Sequence, residues 1–178
     1  MGLGLRDIFV TLIVFGSIPL IFKKPYIGIL MWCWLGYMSP HRLSFGFAYD
    51  MPFAAIIAAV TLLSLLLNSK QRQAVPLQSV VILWCVFIVW TTITTYFAFA
   101  PDAAWAMYKK FFKVMLMTLV MLALVIRRDQ LDKVIWAIAL SLGFYGIKGG
   151  VFTILSGGSS RVWGPSGSFI EGNNELAL

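Results

Sequence analysis

The chain has 178 residues, 60% of them hydrophobic, and only 21 charged side chains, 14 basic and 7 acidic. A soluble domain carries about 25% charged and about 45–50% apolar residues; a charged fraction of 12% and a mean hydropathy of +0.88 therefore exclude a soluble globular enzyme, a disordered chain and a disulfide scaffold. The net charge of +7 and pI of 9.7 are no nucleic-acid footprint either, because in so apolar a chain the informative question is where along a membrane each cation sits.

A bilayer core about 30 Å thick takes roughly 20 apolar residues in a helix. Six runs approach or meet that length: Leu3 to Phe22, Pro25 to Met38, Phe47 to Leu67, Leu77 to Phe99, Ala103 to Ile126 and Leu131 to Leu155. They are long and do not alternate, so each predicts a helix and not a strand. The expected fold is all-α, a polytopic transmembrane bundle of six membrane helices with a seventh beginning at the C-terminus. The first run ends at Lys23-Lys24-Pro25, not at a small-residue cleavage site, so it is no signal peptide. The second run is short and reads as a full crossing or a re-entrant piece. Cys33 and Cys85 lie inside apolar runs and read as small buried hydrophobes. No repeat of fixed period is present.

Three connections are short and basic: Lys23-Lys24, Lys70 to Arg72, and Arg127-Arg128 to Lys133. They fall on one side of a six-helix chain, and the positive-inside bias makes that side cytoplasmic. The other side then receives Arg6, Arg42, Lys109, Lys110, Lys113 and Arg161, with Lys148 inside the sixth run. That is more positive charge than an idle outer face needs, and an anionic ligand there would explain it. Lys109 and Lys110 lie four and three residues before Lys113, on one helical face, which suits either ligand contact or snorkelling beside Trp105, Tyr108, Phe111 and Phe112.

Three places carry residues that a membrane chain does not keep without a reason. Lys148 stands in Gly143-Phe144-Tyr145-Gly146-Ile147-Lys148-Gly149-Gly150, where a charge costs at least about 2.5–3.5 kcal/mol at the bilayer centre. Counted from Lys133 it lies roughly 22 Å along the helix, near outer headgroup depth. The surrounding glycines either let another backbone approach, as a GxxxG pair does, or break the helix. The second place is Ser39-Pro40-His41-Arg42-Leu43-Ser44, with the single histidine of the chain beside an arginine; Arg42 pairs with Asp50, which opens the next helix, or contacts a ligand. The third is the polar tail from Ser156, an irregular outer loop with Asn173 or Asn174 as the N-cap of a helix at Glu175-Leu176-Ala177-Leu178. Residues 1–155 thus read as an N-terminal transmembrane domain, residues 156–178 as a periplasmic loop and the start of the next helix, and the whole as a piece of a longer protein.

Four stretches carry a resemblance: Gly36 to Leu43, Gly46 to Ala54, Ser141 to Gly150, and Arg161-Val162-Trp163-Gly164-Pro165 through Asn174-Glu175-Leu176-Ala177-Leu178. In that order the chain resembles the N-terminal part of the O-glycosylation ligases associated with the exosortase A system, in the O-antigen ligase and polymerase superfamily. An outer-loop arginine, a glycine and an Asn-x-Leu-Ala helix start mark that superfamily, and Arg161, Gly164 and Asn174 to Ala177 fit the pattern. Its members continue into further helices and a large periplasmic loop with additional arginines and a histidine.

The resemblance implies a multi-pass protein of the bacterial inner membrane, active at the periplasmic face, that moves a glycan from undecaprenyl pyrophosphate to a hydroxyl of an acceptor protein or glycan. Its partners would be that lipid-linked glycan, the acceptor and membrane lipids, with no nucleic acid and no cofactor or metal. Negative charge grows on the leaving pyrophosphate, so fixed cations are the main requirement, and arginine's planar fork suits phosphate. Arg161, Lys148, Arg42, Lys109 and Lys113 are the candidate pyrophosphate ligands. Arg161, Glu171 and His41 are the candidate catalytic residues, the last two to orient or deprotonate the acceptor. A non-catalytic membrane domain that binds a lipid-linked glycan or a partner membrane protein is the alternative.

Overall fold

In the computed structural model, residues 4–68, 78–158 and 162–164 are described. Their order is α1 (Leu5–Lys23), α2 (Tyr26–Tyr37), two 3-10 turns (Pro40–Leu43 and Phe47–Asp50), α3 (Phe53–Leu67), α4 (Ser79–Tyr96), α5 (Pro101–Leu124) and α6 (Arg128–Leu155). Among the described residues regular structure is entirely helical, as the long apolar runs require. α1, α4 and α6 are long and apolar enough to cross a membrane, which marks a membrane protein. α2 and α3 are apolar but shorter, and α5 has 24 residues with three lysines in its first half. Six helices stand where six crossings are expected, and three of them have the length and composition of a span.

Local chemistry sets the boundaries. Lys24 precedes Pro25 and is extended (φ −140°, ψ 90°), because a residue before proline avoids the helical region. α2 stops where Ser39 turns left-handed (φ 45°) ahead of Pro40. The Ser39 hydroxyl covers the freed carbonyls of Leu35 and Gly36 at 3.3 Å each. Pro101 opens α5, where its missing N–H costs nothing. The Gln130 side chain accepts the N–H groups of Ile126 and Arg127 at 2.9 and 3.0 Å, closing the start of α6.

α2 is the shared wall of two apolar clusters. Leu35 packs with Val10, Val14 and Ile21 of α1, Ala48, and Phe53 and Ile57 of α3. Ile29 and Cys33 pack with Met117, Val120 and Leu124 of α5 and Val134 of α6. α2 and α3 touch backbone to side chain, since a Cβ on Gly28 would collide with Thr61. α4 leans on α5 through Phe87 and Phe111 (ring centroids 5.9 Å apart) and a 2.6 Å hydrogen bond between Thr92 and Tyr108. Its other side chains are largely exposed, as lipid-facing ones are, and Cys85, expected buried, is among them.

The bundle has two distinct ends. Ser64 donates to the Ile21 carbonyl (2.8 Å) and Asn68 to that of Phe22 (2.9 Å), so α1 and α3 finish together. Lys133 lies over the Tyr26 ring, which brings the start of α6 to the same end. Lys23-Lys24 and Arg127-Arg128 therefore share one end, as their topology predicts; the third basic connection, Lys70 to Arg72, lies outside the described residues. The opposite end is capped by residues 39–50.

Candidate functional site

The cap is held by the first turn of α1. Asp7 is 2% exposed and accepts the Ala48 N–H at 3.0 Å. Glycine is needed beside it, because a Cβ on Gly46 would stand 2.7–2.9 Å from the carboxylate. Arg6 donates to the Leu43 carbonyl at 3.3 Å. One helix start thereby grips both 3-10 turns. An acid inside the apolar run Leu3 to Phe22 is itself the signal that a partner waits elsewhere.

On this cap, His41 is half-buried with its ring edge-on to Phe53 (6.0 Å, 77°). Its Nδ1 is buried and has no hydrogen-bond partner. Burial, reinforced by the neighbouring Arg42, lowers its pKa below the ordinary value, which keeps the ring neutral and able to accept a proton. Arg42 lies 4.7 Å above the Tyr49 ring and pairs with Asp50 at 3.9 Å. Asp50 is 90% exposed, so this pair contributes at most about 1 kcal/mol and leaves the guanidinium open to exchange partners. Asp50 closes the second 3-10 turn; α3 opens three residues later, at Phe53, because Pro52 intervenes.

The lysines are placed by helical spacing. On α5, Lys109, Lys113, Met117, Val120 and Leu124 follow one another by four, four, three and four residues, a single face. Met117, Val120 and Leu124 are buried against α2, whereas Lys109 and Lys113 are exposed on the same face one to two turns nearer the cap. Tyr108 and Phe111 belong to a different face, the one turned to α4. On α6 the same thing happens: Val134, Ser141 and Tyr145 are the buried stripe, and Lys148 continues it, exposed. The Tyr145 hydroxyl donates to the Met38 carbonyl, fixing the level at which α2 ends and Lys148 stands beyond it. α6 runs unbroken through all four glycines.

The inward stripes of two helices thus change from apolar to cationic where their packing ends. Lys109, Lys110, Lys113 and Lys148 form no ion pair among the described residues. No hydrogen bond, ion pair or ring contact joins them to His41 or Arg42. Val162 rests on Gly149, the residue after Lys148, at 3.1 Å from where a Cβ would be. Arg161 and Glu171, like the expected N-cap at Asn173 or Asn174, lie outside the described residues. Among those described, no cluster of three His, Cys, Asp or Glu could hold a metal. The cap end thus carries separate unpaired cations on α5 and α6 and, on the 3-10 turn, one neutral imidazole.

The profile of a family of unknown function, DUF5935, matches residues 5–174. No curated protein and no solved structure matches the chain.

Proposed function

The chain belongs to the DUF5935 family, and from its own residues we propose that it forms the donor-binding part of a membrane glycan ligase. The ligand is the pyrophosphate of a polyprenyl-linked glycan at the cap end, which the positive-inside bias makes the periplasmic face. The observation that carries this reading is the change of the α5 and α6 stripes from buried apolar residues to unpaired lysines. A cation kept at such a place in a membrane helix costs free energy that an anion offsets. Val162 on Gly149 adds support, because it brings residue 162 to the level of Lys148.

In the reaction an acceptor hydroxyl oxygen attacks the anomeric carbon. The bond from that carbon to the pyrophosphate breaks with its electron pair staying on the phosphate oxygen. Lys148, Lys113, Lys109, Arg161 and Arg42 meet the growing charge, and a neutral His41 or Glu171 accepts the hydroxyl proton. Losing one such donor typically lowers turnover about 10²–10³-fold. Arg161→Ala and Lys148→Ala in the full-length protein are therefore expected to abolish measurable glycan transfer while leaving membrane insertion intact. Normal transfer by both variants overturns the reading.

A further inference from the structure

A second site lies at the opposite end, where the three residues between α5 and α6 make a groove of about 510 Å³ lined by Met121, Leu122, Val125, Ile126, Arg127, Arg128 and Leu131. Its floor is apolar, and Leu122, Ile126 and Leu131 are each more than a third exposed. Its rim carries two guanidinium groups. Arg127 is held in place by Asp129, from Nε to Oδ1 at 2.9 Å and from Nη2 to Oδ2 at 2.7 Å. Asp129 also takes Lys133 at 3.6 Å. Arg128 has no partner among the described residues, and Asp132, one turn on, forms no ion pair. The turn itself is fixed, since Gln130 occupies the N–H groups of Ile126 and Arg127. Arg128 also opens a 28-residue helix, whose N-terminal dipole favours an anion.

We propose that this groove binds an anionic phospholipid, its phosphate on Arg128 and the free edge of Arg127, its acyl chains over Leu122, Ile126 and Leu131. The charge and the apolar floor together select this occupant. A soluble phosphate has no use for the floor, and a zwitterionic lipid presents a choline or ammonium group to an unpaired arginine. The site is independent of the cap-end lysines and of any glycan chemistry.

The test is native mass spectrometry of the full chain extracted with phosphatidylglycerol or phosphatidylcholine. One phosphatidylglycerol should be retained in preference to phosphatidylcholine by about fivefold, the effect of one cation near a lipid phosphate. Arg128→Gln should remove the preference, Arg128→Lys should keep most of it, and Lys24→Gln, which deletes a charge from the same end, should leave it unchanged. Equal retention of the two lipids, or equal losses in Arg128→Gln and Lys24→Gln, overturns the proposal. Displacement of the lipid by inorganic phosphate also overturns it, since the groove would then take the free anion. In the unaltered protein, phosphatidylglycerol with a photoreactive acyl chain should label Leu122, Ile126 or Leu131; labelling confined to other helices counts against the groove whatever the variants do.

Discussion

At the basic end of the bundle, polar side chains close the helices. Asn68 and Ser64 cap the carbonyls of Phe22 and Ile21, Gln130 caps the start of α6, and Arg127 and Lys133 share Asp129. Arg128, like Lys24, has no side-chain partner among the described residues, and the groove proposed for a lipid lies beneath Arg128. At the cap end, Asp7, Ser39 and Tyr145 do comparable structural work. Yet Lys109, Lys110, Lys113 and Lys148 have no acid, and the His41 Nδ1 no donor or acceptor, among the described residues. Groups that hold a fold together are satisfied within it, whereas an unsatisfied polar group in an apolar setting is a standing cost. The contrast separates cations paired within the bundle from those proposed to meet a ligand.

The largest expected effect breaks this contrast at its centre. Lys113 sits on the stripe that buries Met117 and Leu124. On the proposal that α5 lies in the membrane, Lys113→Leu should favour insertion by up to about 2–3 kcal/mol, read from the inserted fraction in a translocation assay. The same change should weaken binding of a polyprenyl pyrophosphate. A better-inserted protein with unchanged pyrophosphate binding would mean that the lysine merely snorkels. Lys148→Leu should gain less on insertion, because Lys148 stands beyond the end of α2 and nearer the headgroups.

A smaller effect tests the structural half of the comparison. Asp7→Ala leaves the Ala48 N–H without its acceptor and should cost about 1–3 kcal/mol, measured by thermal unfolding in detergent. Cleavage between residues 43 and 47 by an added protease should accelerate, because α1 then grips only the first 3-10 turn, through Arg6 and Leu43. The basic end should be untouched, so the phosphatidylglycerol preference stays. An Asp7→Ala protein as stable and as resistant as the original would remove Asp7 from its role as the latch of the cap.

Much of this was legible in the sequence. The helices follow from the apolar runs, their breaks from Lys24-Pro25 and Ser39-Pro40, and the common end of Lys23-Lys24 and Arg127-Arg128 from charge. The lysine stripe was legible too, since positions 109, 113, 117, 120 and 124 share a face at any helical phase. What sequence lacks is the partner of that face: that Met117 meets Cys33, and that α2 stops before Lys109 and Lys148, depends on packing between distant segments. Asp7 finds Ala48 across 41 residues for the same reason. Cys85 defeated expectation because in a membrane an apolar run says nothing about burial in protein: α4 leaves most of its surface, Cys85 included, uncovered by the rest of the bundle.

The smallest effect is a pH dependence that sharpens the cap end further. Folding lowers the pKa of His41 from its ordinary 6.5, through burial first and Arg42 second. Between the lowered value and 6.5 the unfolded chain binds more protons than the folded one, so stability rises with pH across that window. It is full above about pH 6.5 and falls as the medium is acidified through the window. Below the lowered value the loss is constant. His41→Gln, which cannot titrate, should flatten that part of a thermal-stability profile. Adding polyprenyl pyrophosphate to the unaltered protein should reduce the dependence as well, because an anion near Arg42 offsets the charge that opposes protonation of His41. If the profile of His41→Gln keeps its slope, the titrating group of the cap is another one, and the neutral imidazole loses its place as proton acceptor.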